Sequence, residues 1–244
     1  MKHQEFYSKV TTQLETQISE NEQEMLAAAE ACASAVKSGR LVHVFGTGHS
    51  QMFAMEVFYR AGGLVPVNAL LIPHYALFPK SKLSTLQERV EGFSNAYLDL
   101  CNTSSEDVMI IVSISGRNPS AVDMALEAKK IGMKVIALTS RAFSEGVTSR
   151  HSSGKLLLDV SDIVIDIKCE KGDASLSMEG LPEKFCGTST VLGMVAMEAM
   201  MARTIELLVE SGVNPPIYVS SNLDEGDAIN EKLIEQYSPL VDCL

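Results

Sequence analysis

The chain has 244 residues, of which 46% are hydrophobic, and its formal net charge is −11 at pH 7. This length suits one α/β domain with extensions, and the acidic balance argues against nucleic-acid binding, which depends on clustered Lys and Arg. No Trp is present and aromatic residues make up only 6% of the chain, which argues against carbohydrate binding on stacked aromatic rings.

The five cysteines are scattered and lack the CxxC or Cys/His spacing of a zinc site. Neither a disulfide framework nor a metal site is therefore expected. The N-terminus has no apolar signal segment. No window reaches the roughly 18 apolar residues of a membrane-spanning helix. The sequence thus predicts a cytoplasmic protein that is not associated with membranes.

Residues 3–38 form the first predicted helix, because their apolar residues recur mostly three, four or seven positions apart. Gly39 ends this helix, as a glycine after the last helical turn commonly does. The helix is polar and precedes the first strand, so its apolar stripe needs a partner surface. Packing across a subunit interface is one solution.

Short apolar runs predict five strands that alternate with helices. The predicted strands are 41–45, a short strand within 63–72, 108–114, 134–138 and 163–167. The predicted helices lie at about 49–61, 83–102, 118–132, 187–211 and 224–237. This alternation, with short connections, indicates a parallel sheet with helices on both faces and right-handed crossovers.

The chain shows no internal repeat and no long linker, so a single domain over 1–244 is expected. It comprises a helical N-terminal extension at 1–39, an α/β core at 40–211, and a C-terminal tail and helix at 212–244. His43 stands between apolar residues in the first predicted strand, and we interpret it as a core histidine whose hydrogen bonds are satisfied.

Three of the predicted strands end in small polar residues. These segments are Gly46-Thr47-Gly48-His49-Ser50, Ser113-Ile114-Ser115-Gly116-Arg117-Asn118, and Thr139-Ser140. Ligands of open parallel sheets bind at the carboxyl ends of the strands, near the switch in strand order. We therefore expect the three strand ends to converge on one small anion, held by hydroxyls and backbone N–H groups instead of a broad positive field.

Two nucleotide-binding motifs are present only in part. "GTGHSQ" contains the first two glycines of G-x-G-x-x-G, but Gln51 stands in the third place, and no Asp or Glu follows the second strand near Asn68. "SRHSSGKL" contains the Gly-Lys pair of a P-loop, but Ser149 replaces its first glycine and Leu156 replaces its Ser/Thr. The dinucleotide-binding signal is therefore weak, and the P-loop interpretation fails.

The segment Ser113–Asn118 carries the stronger signal for an anion. Gly116 allows a sharp turn and a close backbone approach to a ligand, and the two serines add hydroxyl donors. A helix that starts at Asn118 and Pro119 would direct its free N–H groups and its dipole at this loop. The alternative is an ordinary strand–turn–helix capped by Asn118. Capping does not explain two serines at the end of an apolar strand, so the pattern favours phosphate binding.

"SISGRNPS" (113–120), preceded by the G-x-G-x-S strand end and followed by "IALTS" (136–140), resembles the sugar isomerase (SIS) domain. The Ser-x-Ser-Gly segment is similar to the phosphate loops of phosphoheptose isomerases. Ser-Gly-Arg-Asn-Pro is similar to a motif of N-acetylmuramic acid 6-phosphate etherases. "SRHSSGKLLLDVSDIVID", "KGDAS" and "GTSTVLGMVAMEAM" look like a separate, stand-alone SIS branch.

This resemblance implies a flavodoxin-like, doubly wound, five-stranded parallel sheet with N- and C-terminal helical extensions. It also implies a sugar phosphate ligand, a homodimer or higher homo-oligomer, and no cofactor. The glycines of the loops, Gly46, Gly48 and Gly116, would let the backbone approach the ligand. Side chains that would contact phosphate by motif position are Ser50, Ser113, Ser115 and Asn118, although related proteins usually carry Ser or Thr at the last position. Strand-end position adds Thr139 and Ser140 to the predicted binding residues.

Proton transfer between adjacent carbon and oxygen atoms needs a base and an acid within hydrogen-bond reach. Glu56, on the helix after the first loop, is one candidate, and an ion pair with Arg60 at i+4 is the alternative. Phosphoheptose isomerases carry their base glutamate a few residues later, where this chain has Tyr59. His49 in the first loop and His74 after the second strand are the other catalytic candidates.

Two further residues are weaker candidates for a supporting role at the site. His151 would reach the site from a dimer partner or occupy a turn. Glu179 would lie in a polar loop after the last strand, and a solvated surface charge is its alternative.

The favoured function is therefore a phosphosugar isomerase of the aldose–ketose type that works by acid/base proton transfer. A phosphosugar lyase or dehydratase of the N-acetyl amino sugar etherase type is one alternative. A non-catalytic sensing module is another, and a dimeric structural protein with a vestigial site is a third.

Overall fold

A five-stranded parallel sheet forms the centre of the protein in the computed structural model, which describes residues 1–244. The strands are β1 (Val42–Gly46), β2 (Val67–Leu70), β3 (Val108–Val112), β4 (Lys134–Thr139) and β5 (Ile163–Asp166). Their order across the sheet is β2-β1-β3-β4-β5. This is the flavodoxin-like order, in which the strand sequence reverses between β1 and β3, and it confirms the predicted fold class.

Helices flank the sheet on both faces. They are α1 (Lys2–Glu20), α2 (Glu22–Lys37), α3 (Gln51–Val57), α4 (Ser81–Gln87), α5 (Phe93–Leu98), α6 (Pro119–Ile131), α7 (Arg141–Ser144), α8 (Leu157–Val160), α9 (Ser189–Glu210) and α10 (Gly226–Tyr237). None of them combines the length and the apolar character that a membrane crossing requires.

Two predicted helices are interrupted in the structure. The helix predicted over 3–38 is divided at Asn21, whose side chain pairs with the backbone of Asp166. The stretch 83–102 contains two short helices, α4 and α5, separated by the turn around Gly92. Periodicity alone did not reveal these breaks. The first is fixed by the contact with Asp166, and the second combines the left-handed φ of Gly92, +85°, with a bond from its N–H to Asp123 Oδ2.

The region after β5 contains an antiparallel hairpin, not the polar loop expected from the sequence. Its strands are β6 (Ala174–Met178) and β7 (Leu181–Gly187), and the second strand is largely exposed. "LPEKFCG" lacks regular apolar alternation, which explains why no strand was predicted there. Glu179 lies at the exposed turn of this hairpin.

The apolar core is divided by the sheet into two parts. One face packs against α2, α3 and α9, with fully buried residues such as Cys32, Phe53 and Met197. The opposite face packs against α5 and α6, where Leu98 and Met124 are fully buried. The strands are buried on both faces, as expected for a parallel sheet covered by helices.

His43 is a core histidine, as predicted. Asn68 Nδ2 donates to its Nδ1 at 3.1 Å, so the ring proton lies on Nε2, which donates to Asp107 Oδ2 at 3.1 Å. Arg40 and the Leu41 N–H also donate to this carboxylate. The network lies where β3 begins, at the amino edge of the sheet, away from the strand ends that form the candidate site.

Candidate functional site

A cavity of about 270 Å³ lies at the carboxyl ends of β1 and β3, beside the switch in strand order where such sheets bind ligands. We call residues 46–50 the first loop and residues 113–118 the second loop. Thr47–Ser50 of the first loop and Ser113–Ser115 with Asn118 of the second line the cavity. The remaining lining residues are Leu77, Ser84, Thr85, Glu88 and Phe143. Two of the three strand ends therefore converge as predicted.

The first loop turns so tightly after β1 that a side chain cannot fit at Gly46. A Cβ atom there would lie 2.3 Å from the carbonyl oxygen of Ser50. The Ser50 N–H donates to Thr47 O at 2.9 Å, which closes a single 3-10 turn. This turn brings His49 and the Ser50 hydroxyl to the cavity. Gly46 and Gly48 thus shape the loop with their backbone.

The second loop presents hydrogen-bond donors that are not used within the chain. Ser113 and Ser115 line the cavity, and their hydroxyls form no hydrogen bond within the chain. The backbone N–H groups of Ile114, Ser115, Arg117 and Asn118 also lack partners within the chain. Several neutral donors at one concave surface form a site that suits an anion.

Gly116 allows the second loop to turn back on itself. Its φ angle is +59°, in the left-handed region. A Cβ atom there would lie 3.1 Å from Ser144 Oγ and 3.3 Å from Leu157 Cβ. The Gly116 N–H donates to Ser113 O at 3.1 Å. The conformation and the crowded surroundings both favour glycine at this position.

The start of α6 differs from its prediction in two details. Asn118 occupies the N-cap position, but its side chain does not cap the helix. Its Oδ1 accepts a hydrogen bond from Arg150 Nη1 at 2.8 Å instead. The Ser120 N–H donates to the carbonyl of Glu88 at 3.2 Å, so it is not free for a ligand. The free donors therefore come mainly from the second loop itself.

Thr139 and Ser140 lie beneath the second loop and are fully buried, so the structure does not bring them to the cavity. Thr139 Oγ1 donates to Ile114 O at 3.1 Å, and the Ser140 N–H donates to the same carbonyl at 3.0 Å. The Ser140 hydroxyl donates to Cys169 O at 2.6 Å. The third strand end therefore supports the shape of the second loop.

Among the proposed catalytic residues, only His49 lines the cavity. Glu56 forms an ion pair with Arg60, the alternative considered from the sequence, and Arg60 also contacts Glu198 at 2.8 Å. His74 is exposed and packs edge-on against Phe93, with ring centroids 5.1 Å apart. Within one chain, neither Glu56 nor His74 reaches the cavity.

His151 lies outside the cavity, and both of its ring nitrogens form hydrogen bonds within the chain. The Ser153 N–H donates to its Nδ1 at 3.0 Å, so Nε2 carries the proton and donates to Asp123 Oδ1 at 3.0 Å. The side chain is 8% exposed. It joins the loop after α7 to α6 and is not available to a ligand of the same chain.

Glu88 is a residue of the cavity that sequence analysis missed. It directly follows α4, lines the cavity and accepts a hydrogen bond from Thr47 Oγ1 at 2.9 Å. No motif surrounds it, and its neighbours were assigned to one continuous helix. Together, Glu88 and His49 supply two groups able to transfer protons beside the unused donors of the second loop.

Known structures with this fold include two phosphoheptose isomerases. The enzyme from Francisella tularensis superposes with a TM-score of 0.53 at 18% identity, covering 84% of this chain and 97% of that one. The enzyme from Neisseria gonorrhoeae gives a TM-score of 0.54 at 15% identity, with the same coverage of 84% and 97%. At these identities the likeness supports the fold.

Sequence comparisons identify the family. A model of the SIS domain matches residues 5–140, which include both loops. A UPF0309 protein of Geobacillus thermodenitrificans is 39% identical over 240 residues, covering 98% of this chain and 96% of that protein. The resemblance noted in the two loops is thereby confirmed, and the chain belongs to the SIS domain family, among the UPF0309 proteins.

Proposed function

We propose that the protein binds a sugar phosphate in the cavity, with the phosphate group at the second loop. The observation that carries this proposal is the set of unused donors. The hydroxyls of Ser50, Ser113 and Ser115 line one cavity, and four backbone N–H groups of the second loop lack partners. Hydrogen bonds to a charged acceptor are stronger than those between neutral groups, so neutral donors suffice to hold a phosphate in an acidic protein.

The proposed reaction is a cofactor-free aldose–ketose isomerisation. A base takes the proton from C2 of the aldose and a proton is returned to C1, while the hydroxyl proton at O2 is lost and O1 gains one. Glu88 would serve as the carbon base, and His49 would exchange the hydroxyl protons. Both line the cavity that holds the phosphate donors. The two solved neighbours are named phosphoheptose isomerases, which accords with this choice.

The test is incubation with a panel of aldose phosphates in D2O, followed by NMR. An isomerase forms the ketose and exchanges hydrogen at C2. Loss of a substituent from an N-acetylated amino sugar phosphate would instead identify a lyase. Binding without exchange or product would identify a sensing module and overturn the enzymatic part of the proposal. A failure of every sugar phosphate to bind would overturn the whole proposal.

Serine variants separate specific binding from nonspecific effects. Replacement of Ser113 and Ser115 by Ala should weaken sugar phosphate binding, since both hydroxyls lie in the cavity. Ser8→Ala is the matched control, because Ser8 is exposed on α1 and makes no side-chain hydrogen bond. Equal effects of the two changes would contradict the assignment of the second loop as the phosphate site.

We further propose that the protein is a homodimer formed through the groove between α1, α2 and α9. This groove has a volume of about 430 Å³ and a largely apolar lining. Its apolar side chains include Ile18, Leu26 and Val195, which are 70%, 41% and 41% exposed. Contiguous exposed apolar patches are typical of interaction sites. Light scattering should give twice the chain mass of 26.4 kDa, and Ile18→Asp should shift the protein to the monomer.

A further inference from the structure

The seven arginines of this acidic chain fall into two sets. Arg40, Arg60 and Arg203 each form an ion pair with a carboxylate. The other four form no ion pair, although the chain carries 31 acidic residues against 20 basic ones. The four arginines without an ion pair are Arg89, Arg117, Arg141 and Arg150.

Three of these unpaired arginines lie on segments that contact one another around the start of α6, next to the cavity lining but not part of it. Arg150 Nη1 donates to Oδ1 of Asn118, a lining residue, at 2.8 Å, and the Arg150 N–H donates to Arg117 O at 2.9 Å. Arg117 Nε is directed to Thr148 O at 2.9 Å. Arg89 follows Glu88, whose carbonyl accepts from the first turn of α6. The three arginines therefore lie on segments that contact one another at the start of α6.

The positive charges in this cluster repel one another. Partial burial, followed by repulsion from Arg117 and Arg89, lowers the pKa of the Arg150 guanidinium below its ordinary value, and Glu88 only partly compensates. The N-terminus of a helix carries positive partial charge and disfavours further cations. Three cations near the N-terminus of α6, with no carboxylate paired to them, favour the binding of an anion.

We propose that Arg89, Arg117 and Arg150 form a second anion subsite beside the second loop, and that the ligand is a sugar phosphate with a second anionic group. This inference rests on the proposed sugar phosphate binding, because the subsite would adjoin the same cavity through Asn118, which Arg150 contacts. Guanidinium groups match the planar or tetrahedral oxygen arrangement of carboxylates and phosphates. The second group is thus a carboxylate or a further phosphate on the sugar.

Calorimetry with three probes of similar size tests the subsite. Glucose 6-phosphate has one anionic group, 6-phosphogluconate adds a carboxylate, and glucose 1,6-bisphosphate adds a phosphate. We expect the wild type to bind at least one doubly anionic probe about 10-fold or more tighter than glucose 6-phosphate, a difference of about 1.4 kcal/mol. Preference for 6-phosphogluconate or for the bisphosphate identifies the second group.

Arginine variants then show whether the preference arises at these residues. Arg89→Gln and Arg150→Gln should each reduce the affinity ratio of the preferred probe to glucose 6-phosphate toward one. Arg203→Gln, which alters an arginine on α9 that pairs with Glu206, should keep the wild-type ratio. Arg89 is exposed and forms no ion pair, so its replacement is compatible with folding, and thermal melts verify this.

The outcomes distinguish this inference from the proposed function. If the wild type binds glucose 6-phosphate at least as tightly as both doubly anionic probes, the subsite is refuted while sugar phosphate binding stands. The subsite is equally refuted if the preference persists in Arg89→Gln and Arg150→Gln. If the wild type binds none of the three probes or any other sugar phosphate, both proposals fail.

Discussion

The carboxylate of Glu88 accepts a hydrogen bond from Thr47 Oγ1 at 2.9 Å, and this bond connects the end of α4 to the first loop. The carbonyl of Glu88 accepts the N–H of Ser120 at 3.2 Å, at the start of α6. The residue is therefore held between the first loop and the start of α6. Thr47 bonds only to Oε2, and Oε1 accepts no hydrogen bond within the chain.

This position predicts that Glu88→Gln removes activity while retaining substrate binding. Gln keeps an oxygen that can accept the Thr47 hydroxyl, but it cannot take a proton from carbon. Loss of a general base typically lowers the rate by about 10²- to 10⁴-fold. We expect kcat, or the rate of deuterium exchange at C2, to fall by that factor, with little change in calorimetric affinity.

Two other glutamates serve as comparisons for this experiment. Glu231→Gln, on the exposed side of α10, is the control and should behave as the wild type. Glu56→Gln tests the candidate favoured by the sequence, which the structure pairs with Arg60 outside the cavity. If Glu56→Gln abolished exchange and Glu88→Gln did not, the assignment of Glu88 would be wrong.

A second prediction concerns the second loop, where Gly116→Ala should impair both folding and binding. Alanine at φ +59° is disfavoured by roughly 1–2 kcal/mol. The new Cβ would also lie 3.1 Å from Ser144 Oγ, and overpacking typically adds about 1–3 kcal/mol. We expect the free energy of unfolding to fall by about 2–5 kcal/mol in urea titrations, with weaker sugar phosphate binding.

Gly39→Ala separates the cost of a positive φ angle from the cost of steric crowding. Gly39 also has a positive φ, of +71°, but no atom lies within 4 Å of the position that a Cβ would occupy. This variant should lose only the conformational part of the stability and keep full ligand affinity. Equal destabilisation of the two variants would show that the crowding around Gly116 is unimportant.

Sequence patterns predicted the sheet and the two loops because both signals are local. The apolar runs define the strands, and Ser113, Ser115 and Gly116 stand together in one motif at a strand end. Parallel strand ends meet at one sheet edge by topology. The convergence of the first and second loops therefore followed from the order of elements alone.

Other features of the site depend on contacts between distant residues and could not be predicted. Glu88 reaches the cavity because α4 is short and its end is bonded to α6. Asn118 is a good capping residue by type, yet its side chain accepts from Arg150, 32 residues later. Thr139 has the strand-end position of a ligand residue, but the second loop lies over it and uses its hydroxyl.

A third prediction concerns pH and the buried carboxylate of Asp107. Burial raises its pKa, but hydrogen bonds from His43, the Leu41 N–H and Arg40 outweigh this effect and hold the pKa below the ordinary value. An Asp whose pKa is lower in the folded state binds fewer protons there than in the unfolded chain. Its stabilising contribution is therefore complete above the unfolded pKa of about 3.9 and is lost as the pH falls through the folded value.

Asp107→Asn should consequently be less stable at pH 7 and lose less stability in acid than the wild type. Removal of one partner of a buried pair typically costs about 3–5 kcal/mol. Urea titrations at pH 7 and at a series of values below about pH 4 measure both effects. Asp224→Asn, in an exposed turn, is the control. If the free energy of unfolding fell equally with decreasing pH in Asp107→Asn and in the wild type, the role of this carboxylate would be contradicted.

The last prediction concerns Asn21, which completes the hydrogen bonding of the edge strand β5. Its Nδ2 donates to Asp166 O at 2.9 Å, and its Oδ1 accepts the Asp166 N–H at 2.9 Å. Both Asn21 and Asp166 are buried, so Asn21→Ala would leave two backbone groups without partners. Each unsatisfied group costs about 1–3 kcal/mol, and we expect unfolding to become easier by about 2–6 kcal/mol in urea titrations.

Asn21→Asp distinguishes this pairing from a general effect of replacing a buried side chain. Aspartate still accepts the Asp166 N–H, but it cannot donate to the carbonyl, and the two electronegative oxygens repel. It should therefore be destabilised although its shape is nearly that of asparagine. Asn222→Ala, in an exposed turn, should change stability by less than about 0.5 kcal/mol. Wild-type stability in Asn21→Asp would show that the bond to the Asp166 carbonyl does not hold α1 and α2 against the sheet edge.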